Sequence, residues 1–443
     1  MHKLQVKDVL TRIKKPIQLE DDVLYKRVTI KTKHKGVFLR DTQYGKDIGT
    51  KKQFFIKRGE FLLSKIDARN GAFGIVPDEV DGAIITGNFW TYEVNEKELN
   101  IELFYIMTSL PFFDELCKNA SSGSTNRQYL DEKKFLNQEI TLPPIEEQNS
   151  FIEHFKKLQE KHSQTLEELQ TQSELINKLK SSILKRAVSG KLVSQDPNDE
   201  SAEVLLKKIK AKKEKLLKEG KIKKQKPLPP ISEDEIPYEL PDGWVWCRLD
   251  DICRYIQRGK SPKYTEKNTR IPIIAQKCVQ WKEIQMYKCQ YLDLMKFETY
   301  TKERLLRNND ILWNSTGLGT LGRVNIFKHE KKYKIVVADS HVSVIRTMKK
   351  FIDSKYIYKF LLSPFVQNEI ENKSSGSTKQ SELGLSTIKN HLVPLPPLEE
   401  QKRIVEKVEK LMATCDALEL EVQNSKIETE KLMQSVLKEA FRK

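Results

Sequence analysis

The side chains best suited to recognition chemistry sit beside glycine turns. They are Lys65, Arg69, Asn70, Arg127 and Gln128 early in the chain. Asn314, Arg323, Ser340, His341, Lys379 and Gln380 come later. Arginine pairs with guanine edges, and asparagine or glutamine with adenine edges, through two hydrogen bonds each. The stretch Ser121-Ser122-Gly123-Ser124-Thr125 runs into Arg127 and Gln128, and its copy at 374–378 runs into Lys379 and Gln380. Hydroxyls, a glycine and a cation suit a phosphate contact, and they equally suit a capped turn between two elements. On side-chain chemistry alone these residues are assigned to DNA contact.

Catalytic constellations fail on inspection. Gly317-Leu318-Gly319-Thr320-Leu321-Gly322 matches a dinucleotide fingerprint letter for letter, yet that site needs a helix to follow. Here Arg323-Val324-Asn325-Ile326-Phe327 reads as a strand, so a glycine-rich hairpin is expected. Gly259-Lys260-Ser261 resembles the end of a phosphate-binding loop, but Arg254 stands where the first glycine is required. Neither Pro143-Pro144 nor Pro396-Pro397 has the aromatic partner of an amino-methyltransferase tetrad. The seven histidines and six cysteines are scattered without metal-ligand spacing. No catalytic residue and no metal site is assigned.

Bulk properties agree with binding. The 443 residues carry 78 basic and 62 acidic side chains, a net +16. Such an excess favours a polyanionic partner, with nucleic acid the first candidate. The N-terminus has no apolar leader pattern, and no run of about 18 apolar residues exists to span a membrane. Reduced cysteines and a cytoplasmic location are expected.

The elements that position these residues come as a repeat. The Ser-Ser-Gly-Ser-Thr copies begin at 121 and 374, an offset of 253 (374 − 121), and Leu142-Pro143-Pro144-Ile145-Glu146-Glu147-Gln148 returns as Leu395-Pro396-Pro397-Leu398-Glu399-Glu400-Gln401 at the same offset. One ancestral unit is present twice. A long helix is expected after each copy, with proline before the first turn and glutamates inside it. A seam in alternating steps of four and three runs through Phe151, Phe155, Leu158, His162, Thr165, Leu169, Gln172, Ile176, Leu179 and Ile183. Its copy runs through Ile404, Val408, Leu411, Cys415, Leu418, Val422, Ser425, Thr429, Leu432 and Val436. This is coiled-coil spacing, and two rods of roughly 60 Å in one chain pair most economically as an antiparallel coiled coil. His162, Gln172, Ser425 and Thr429 either fix register or are solvated.

The expected fold class is α+β, with two similar globular domains, each followed by a long helix. The divisions are 1–140, a globular domain; 141–200, the first helical spacer; 201–240, a lysine-rich helix and proline-bearing linker; 241–392, the second globular domain; and 393–443, the second long helix. The lysine run is either a solvated helix or one that faces phosphate.

Two variable domains ending in Gly-Ser-Thr, each followed by Leu-Pro-Pro-x-Glu-Glu-Gln and a long helix, resemble the specificity subunit of a type I restriction–modification system. Ser189-Gly190-Lys191-Leu192-Val193, Gln195–Asp199 and Leu240-Pro241-Asp242-Gly243-Trp244 add to the likeness. The resemblance implies that each domain is a target recognition domain for half of a bipartite site in double-stranded DNA. It implies that the paired helices set the gap between half-sites and dock two methyltransferase subunits and two restriction/translocase subunits. S-adenosylmethionine, ATP and Mg would belong to those partners, with no cofactor in this chain, which would not itself be a catalyst. The competing readings are a self-sufficient DNA methyltransferase or nuclease, and a purely structural coiled-coil scaffold.

Overall fold

The computed structural model describes residues 2–124, 127–222, 228–317, 319–374 and 382–440. The chain divides into two compact units: residues 1–170 with 423–443, and residues 171–422.

In the first unit, strands Leu10–Ile13, Phe89–Val94, Phe61–Ser64 and Phe73–Ile75 form an antiparallel sheet in that order. Phe61-Leu62-Leu63-Ser64 is buried along its whole length, as an unbroken apolar run in a covered strand should be. Helices Ile101–Thr108 and Pro111–Asn119 cover the sheet. The Asn100 side chain accepts from Glu102 N at 2.8 Å to cap the first, and Pro111 opens the second, where a missing N–H costs nothing. Between them lies an aromatic core. Phe61 meets Phe104 edge-on at 4.8 Å, and Phe73 meets Phe113 at 5.0 Å. A second sheet orders Pro16–Gln18, Lys52–Phe55, Ile84–Ile85, Leu24–Lys31 and Gly36–Tyr44.

The second unit repeats the first sheet with Cys253–Arg258, Val342–Thr347, Ile311–Asn314 and Val324–Ile326. Its other sheet differs, with four short strands: Tyr264–Thr265, Gln290–Leu292, Pro272–Ile274 and Val337–Ala338. Gly317–Gly322 lies between Ile311–Asn314 and the antiparallel Val324–Ile326. A strand therefore follows the glycines, and among the described residues no helix N-terminus stands there to meet a pyrophosphate.

The repeat is longer in structure than in sequence. Strands Phe89–Val94 and Val342–Thr347, helices Ile101–Thr108 and Ser354–Leu361, and strands Glu139–Leu142 and Leu392–Leu395 all start and stop 253 positions apart (342 − 89, 354 − 101, 392 − 139). Upstream the offset changes. Gly74 lies across from Leu62, and Asn325 from Leu312, so Gly74 corresponds to Asn325, an offset of 251 (325 − 74).

The duplicated glutamine explains part of this constancy. Gln148 is fully buried; its Oε1 accepts from Asn100 N at 2.7 Å, and its Nε2 donates to Glu98 O at 2.8 Å and Pro143 O at 3.0 Å. Gln401 accepts from Asp353 N at 2.9 Å and donates to Pro396 O at 3.0 Å. Each glutamine ties the start of a long helix to the N-cap of a domain helix. The neighbouring glutamates have diverged. Glu147 is exposed, whereas Glu400 is buried and accepts from Trp244 Nε1 at 2.9 Å and Gln195 Nε2 at 3.2 Å. Burial pushes the Glu400 carboxyl up, against the pull of those two donors. Arg403 adds a two-pronged pair to Asp199 at 3.3 and 2.7 Å. Gly190 ends the first helix at φ +69°, where a Cβ would lie 2.3 Å from Pro241.

The long helices span Ile145–Val188 and Leu398–Ala440. In the first unit Ile152 and Phe155 join the domain core, with Phe151 and Met433 against it, and Lys426 Nζ donates to Gln170 Oε1 at 3.1 Å. In the second unit Lys180 Nζ reaches Asp416 at 2.7 Å and Glu419 at 3.1 Å. The seam departs from its expected phase. Ile176, Ile183, Ile404, Val408, Cys415 and Val422 are buried, but Leu179, Leu418 and Leu432 are 47%, 41% and 66% exposed. Thr165 and Gln172 are exposed too, and Leu166, Ser173, Lys180, Glu419 and Met433 are drawn in instead. The inward steps thus run 176, 180, 183 and 415, 419, 422. Lysine can bury its stem while its ammonium reaches carboxylates, so a Lys–Glu–Asp cluster holds a place that leucine was expected to fill. The Val436 side chain lies outside the described set.

The basic helix is Ala202–Lys218, with Ala202, Leu205 and Ile209 buried. Lys213 Nζ donates to Asp250 O at 2.6 Å. No helix among the described residues is long and apolar enough to cross a membrane.

Candidate nucleic-acid interface

In the first domain three segments converge. The turn after Phe61–Ser64 carries Lys65, Arg69 and Asn70. It is tied to the hairpin Ser121–Ser124/Arg127–Leu130 by Leu130 N donating to Lys65 O at 2.8 Å. Arg69 Nη1 donates to Gln128 Oε1 at 2.7 Å, and Lys65 Nζ lies 5.9 Å from the centre of the Tyr129 ring. Asn70 Nδ2 makes only a long contact to Asp67 at 3.4 Å and is exposed. The Arg127 side chain lies outside the described set. Lys65, Arg69, Asn70 and Gln128 therefore share one surface.

The third segment is one that the sequence alone does not single out. The hairpin Leu24–Lys31/Gly36–Tyr44 brings its tip, Thr32-Lys33-His34-Lys35, onto the same turn. Lys33 N donates to Asn70 O at 2.8 Å, His34 N to Gly71 O at 3.0 Å, and His34 Nε2 lies 2.9 Å from Asp114 Oδ1. Gly71 sits at φ +75°, and a Cβ there would stand 2.8 Å from the His34 ring, so only glycine lets the tip approach this closely. The alternating lysines of Lys31-Thr32-Lys33-His34-Lys35-Gly36 are visible as composition. Their position depends on a contact between residues some 37 apart (70 − 33).

In the second domain the expected residues fall into two roles. Asn314 is fully buried, and its Nδ2 donates to Gln276 O at 3.0 Å. It cannot present an edge to a base, which corrects its assignment. Arg323 donates to Gln280 Oε1 at 2.7 Å and to Gly319 O at 2.5 Å, and Asn325 Nδ2 donates to Gln280 O at 2.9 Å. These side chains brace the loop 276–288, whose Trp281 and Tyr287 are exposed. Ser340 and His341 are more accessible. His341 Nδ1 lies 2.6 Å from Thr316 Oγ1, and Ser340 accepts from Ser261 Oγ at 3.2 Å. Tyr264 donates its hydroxyl to Asp339, and burial followed by that carboxylate pushes the phenol up, so Tyr264 stays a donor at neutral pH. Lys379 and Gln380 lie outside the described residues.

Among the described residues no group of three or more His, Cys, Asp or Glu side chains could hold a metal ion. What the two surfaces offer is amide, hydroxyl, imidazole and cationic groups on braced turns, which suits hydrogen bonding to a polyanion with distinguishable edges.

A family model described as the type I restriction modification DNA specificity domain matches residues 3–185 and again 241–429. The curated relatives include the type I restriction enzyme EcoEI specificity subunit of Escherichia coli, 29% identical over 74% of this chain and 63% of that one. The EcoAI specificity subunit of Escherichia coli is 32% identical over 71% of this chain and 60% of its own length. The chain thus spans less than two thirds of both relatives. Among solved structures, the HsdS subunit from Thermoanaerobacter tengcongensis matches with a TM-score of 0.57 at 16% identity, covering 100% of this chain and 96% of that one. A chain from work on complex assembly and conformational transition of the type I R-M system matches with 0.62 at 17% identity, covering 99% and 97%. At those identities the likeness is one of fold.

Proposed function

The chain belongs to the type I restriction–modification DNA specificity family, and from that premise we propose that it is the sequence-recognition subunit of such a complex. One observation carries the reading. Two domains share the core sheet order, the helix that follows it and the glutamine latch, with helix and latch 253 positions apart, yet their second sheets differ in strand number, length and loops. A shared frame with different recognition surfaces is what a bipartite, asymmetric DNA site requires. Residues 1–140 read one half-site and 241–392 the other, with Lys65, Arg69, Asn70, Gln128, Ser340 and His341 as the proposed DNA contacts. The chain is not a catalyst. S-adenosylmethionine, ATP and Mg belong to two methyltransferase and two restriction/translocase subunits, and the assembly works in the cytoplasm.

The long helices pair as an antiparallel coiled coil and fix the gap between half-sites. Support comes from within each unit: Gln170 meets Lys426 in one, and Lys180 meets Asp416 and Glu419 in the other. Residue numbers rise along one helix as they fall along its partner. Leu175 and Leu179, one turn apart and both exposed, support use of the first helix as a docking face for the modification subunits. The test is a domain exchange. Replacing residues 241–392 with the matching domain of another family member should change one half of the methylated sequence and leave the other half unchanged. A change in both halves, or in neither, would overturn the division of labour.

A further inference from the structure

We infer that the tip of the Leu24–Lys31/Gly36–Tyr44 hairpin is a phosphate clamp that seats the first domain on the DNA backbone beside its half-site, an inference that rests on the DNA-recognition reading above. The tip carries Lys31, Lys33 and Lys35, all exposed or half-exposed at the hairpin end. Lys31 Nζ lies 4.4 Å from the centre of the Phe38 ring, and among the described residues no carboxylate pairs with Lys33 or Lys35. Two lysines of the same domain meet carboxylates instead: Lys15 meets Glu60, and Lys51 meets Asp21. Asp114 meets His34 and not the lysines, so the tip presents concentrated positive charge to solvent, which a polyanion would complement.

The tip is also built to stay in place. Lys33 and His34 both adopt left-handed backbone, φ 61° and 57°, where asparagine and glycine are the usual occupants. Non-glycine residues persist in that region when their surroundings hold them, and they collect at ligand clamps. Here the surroundings are the amide bonds to Asn70 and Gly71, and the His34–Asp114 contact. Those bonds join the lysines to the Lys65–Arg69 turn, so one rigid surface carries cations at its rim and Arg69, Asn70 and Gln128 within it. Backbone contacts from such a rim fix register without reading sequence. Among the described residues the second domain has no counterpart, because the strands of its second sheet are only two or three residues long.

The test uses the full chain assembled with its modification subunits and a duplex carrying the methylated site. Lys33→Asn removes the charge and keeps a residue that tolerates left-handed backbone; Lys35→Gln needs no such care. Fluorescence anisotropy across 50–300 mM salt reads the slope of log affinity against log salt. The double variant should flatten that slope by about 2, close to one unit for each phosphate no longer neutralised, while the methylated motif stays the same. Lys97→Gln, on the same domain and away from the tip, should leave the slope within about 0.3 of wild type. An unchanged slope in the double variant, with wild-type binding intact, overturns the clamp and leaves the recognition reading standing. A wild-type complex with no site preference overturns both. Lys35→Gln alone, expected to lower the slope by about 1, keeps the test decisive if Lys33→Asn disturbs the turn.

Discussion

Truncating the first duplicated glutamine should uncouple the first domain from its helix. In Gln148→Ala one backbone N–H and two carbonyls are left without their partner, at 2.7, 2.8 and 3.0 Å. An orphaned polar group costs about 1–3 kcal/mol. Asn100 and Glu98 are only partly buried, so water recovers some of that cost, and about 1 kcal/mol each gives about 3 kcal/mol in total. For a unit of this size each kcal/mol moves the unfolding midpoint by roughly 2–4 °C, so calorimetry should show the first unit's transition falling by about 6–12 °C. Hydrogen exchange gives a local reading. The Asn100 amide should become about 100-fold less protected, while the Asp353 amide, held by Gln401, keeps its own protection. Gln148→Met restores volume without the hydrogen bonds and should recover less than half of the stability. Destabilisation under 1 kcal/mol, or an unchanged Asn100 amide, would refute the latch.

Other perturbations separate the remaining contacts. Ile176→Ala should cost about 2–4 kcal/mol and Leu179→Ala less than about 0.5 kcal/mol in chemical denaturation, and the reverse order would restore the seam phase expected from sequence. His391 packs against Trp313 at 6.0 Å and Phe360 at 5.7 Å between ring centres, and burial pushes it down to about 3. The unfolded chain therefore takes up a proton that the folded chain refuses below about pH 6.5. Stability should fall as pH drops through that value, by about 2 kcal/mol at pH 5, and His391→Phe should flatten that part of a denaturation-versus-pH profile; an identical profile would contradict it. Inserting four residues into the first long helix adds about 6 Å and should widen the unspecified gap in the methylated motif by one or two base pairs; an unchanged gap would mean the helices do not set it.

Much of the frame is legible because it is local. Prolines before the first turn, glutamates inside it and Gly190 after Val188 mark a helix in any context, and the 253-residue offset needs only comparison of the chain with itself. The short apolar runs at 61–63 and 311–313 lie in covered strands for the same reason. What escapes depends on distant partners. Leu179, Leu418 and Leu432 fit coiled-coil spacing as well as Lys180, Glu419 and Met433 do, and only the meeting of Lys180 with Asp416 and Glu419 decides between them. Asn314 and Arg323 have the right chemistry for base edges, but Asn314 Nδ2 and Arg323 Nη1 are directed to the loop 276–288. Residue type does not reveal whether a side chain is already spent. The lysine tip, conversely, reads as ordinary surface charge until Asn70 and Gly71 anchor it.

The most direct test of bipartite recognition is to co-express this chain with its modification subunit in a host lacking DNA methylation and to map modified bases by single-molecule sequencing. The account predicts one motif made of two specified halves separated by a fixed unspecified gap. A single contiguous motif, or methylation without sequence preference, would contradict it.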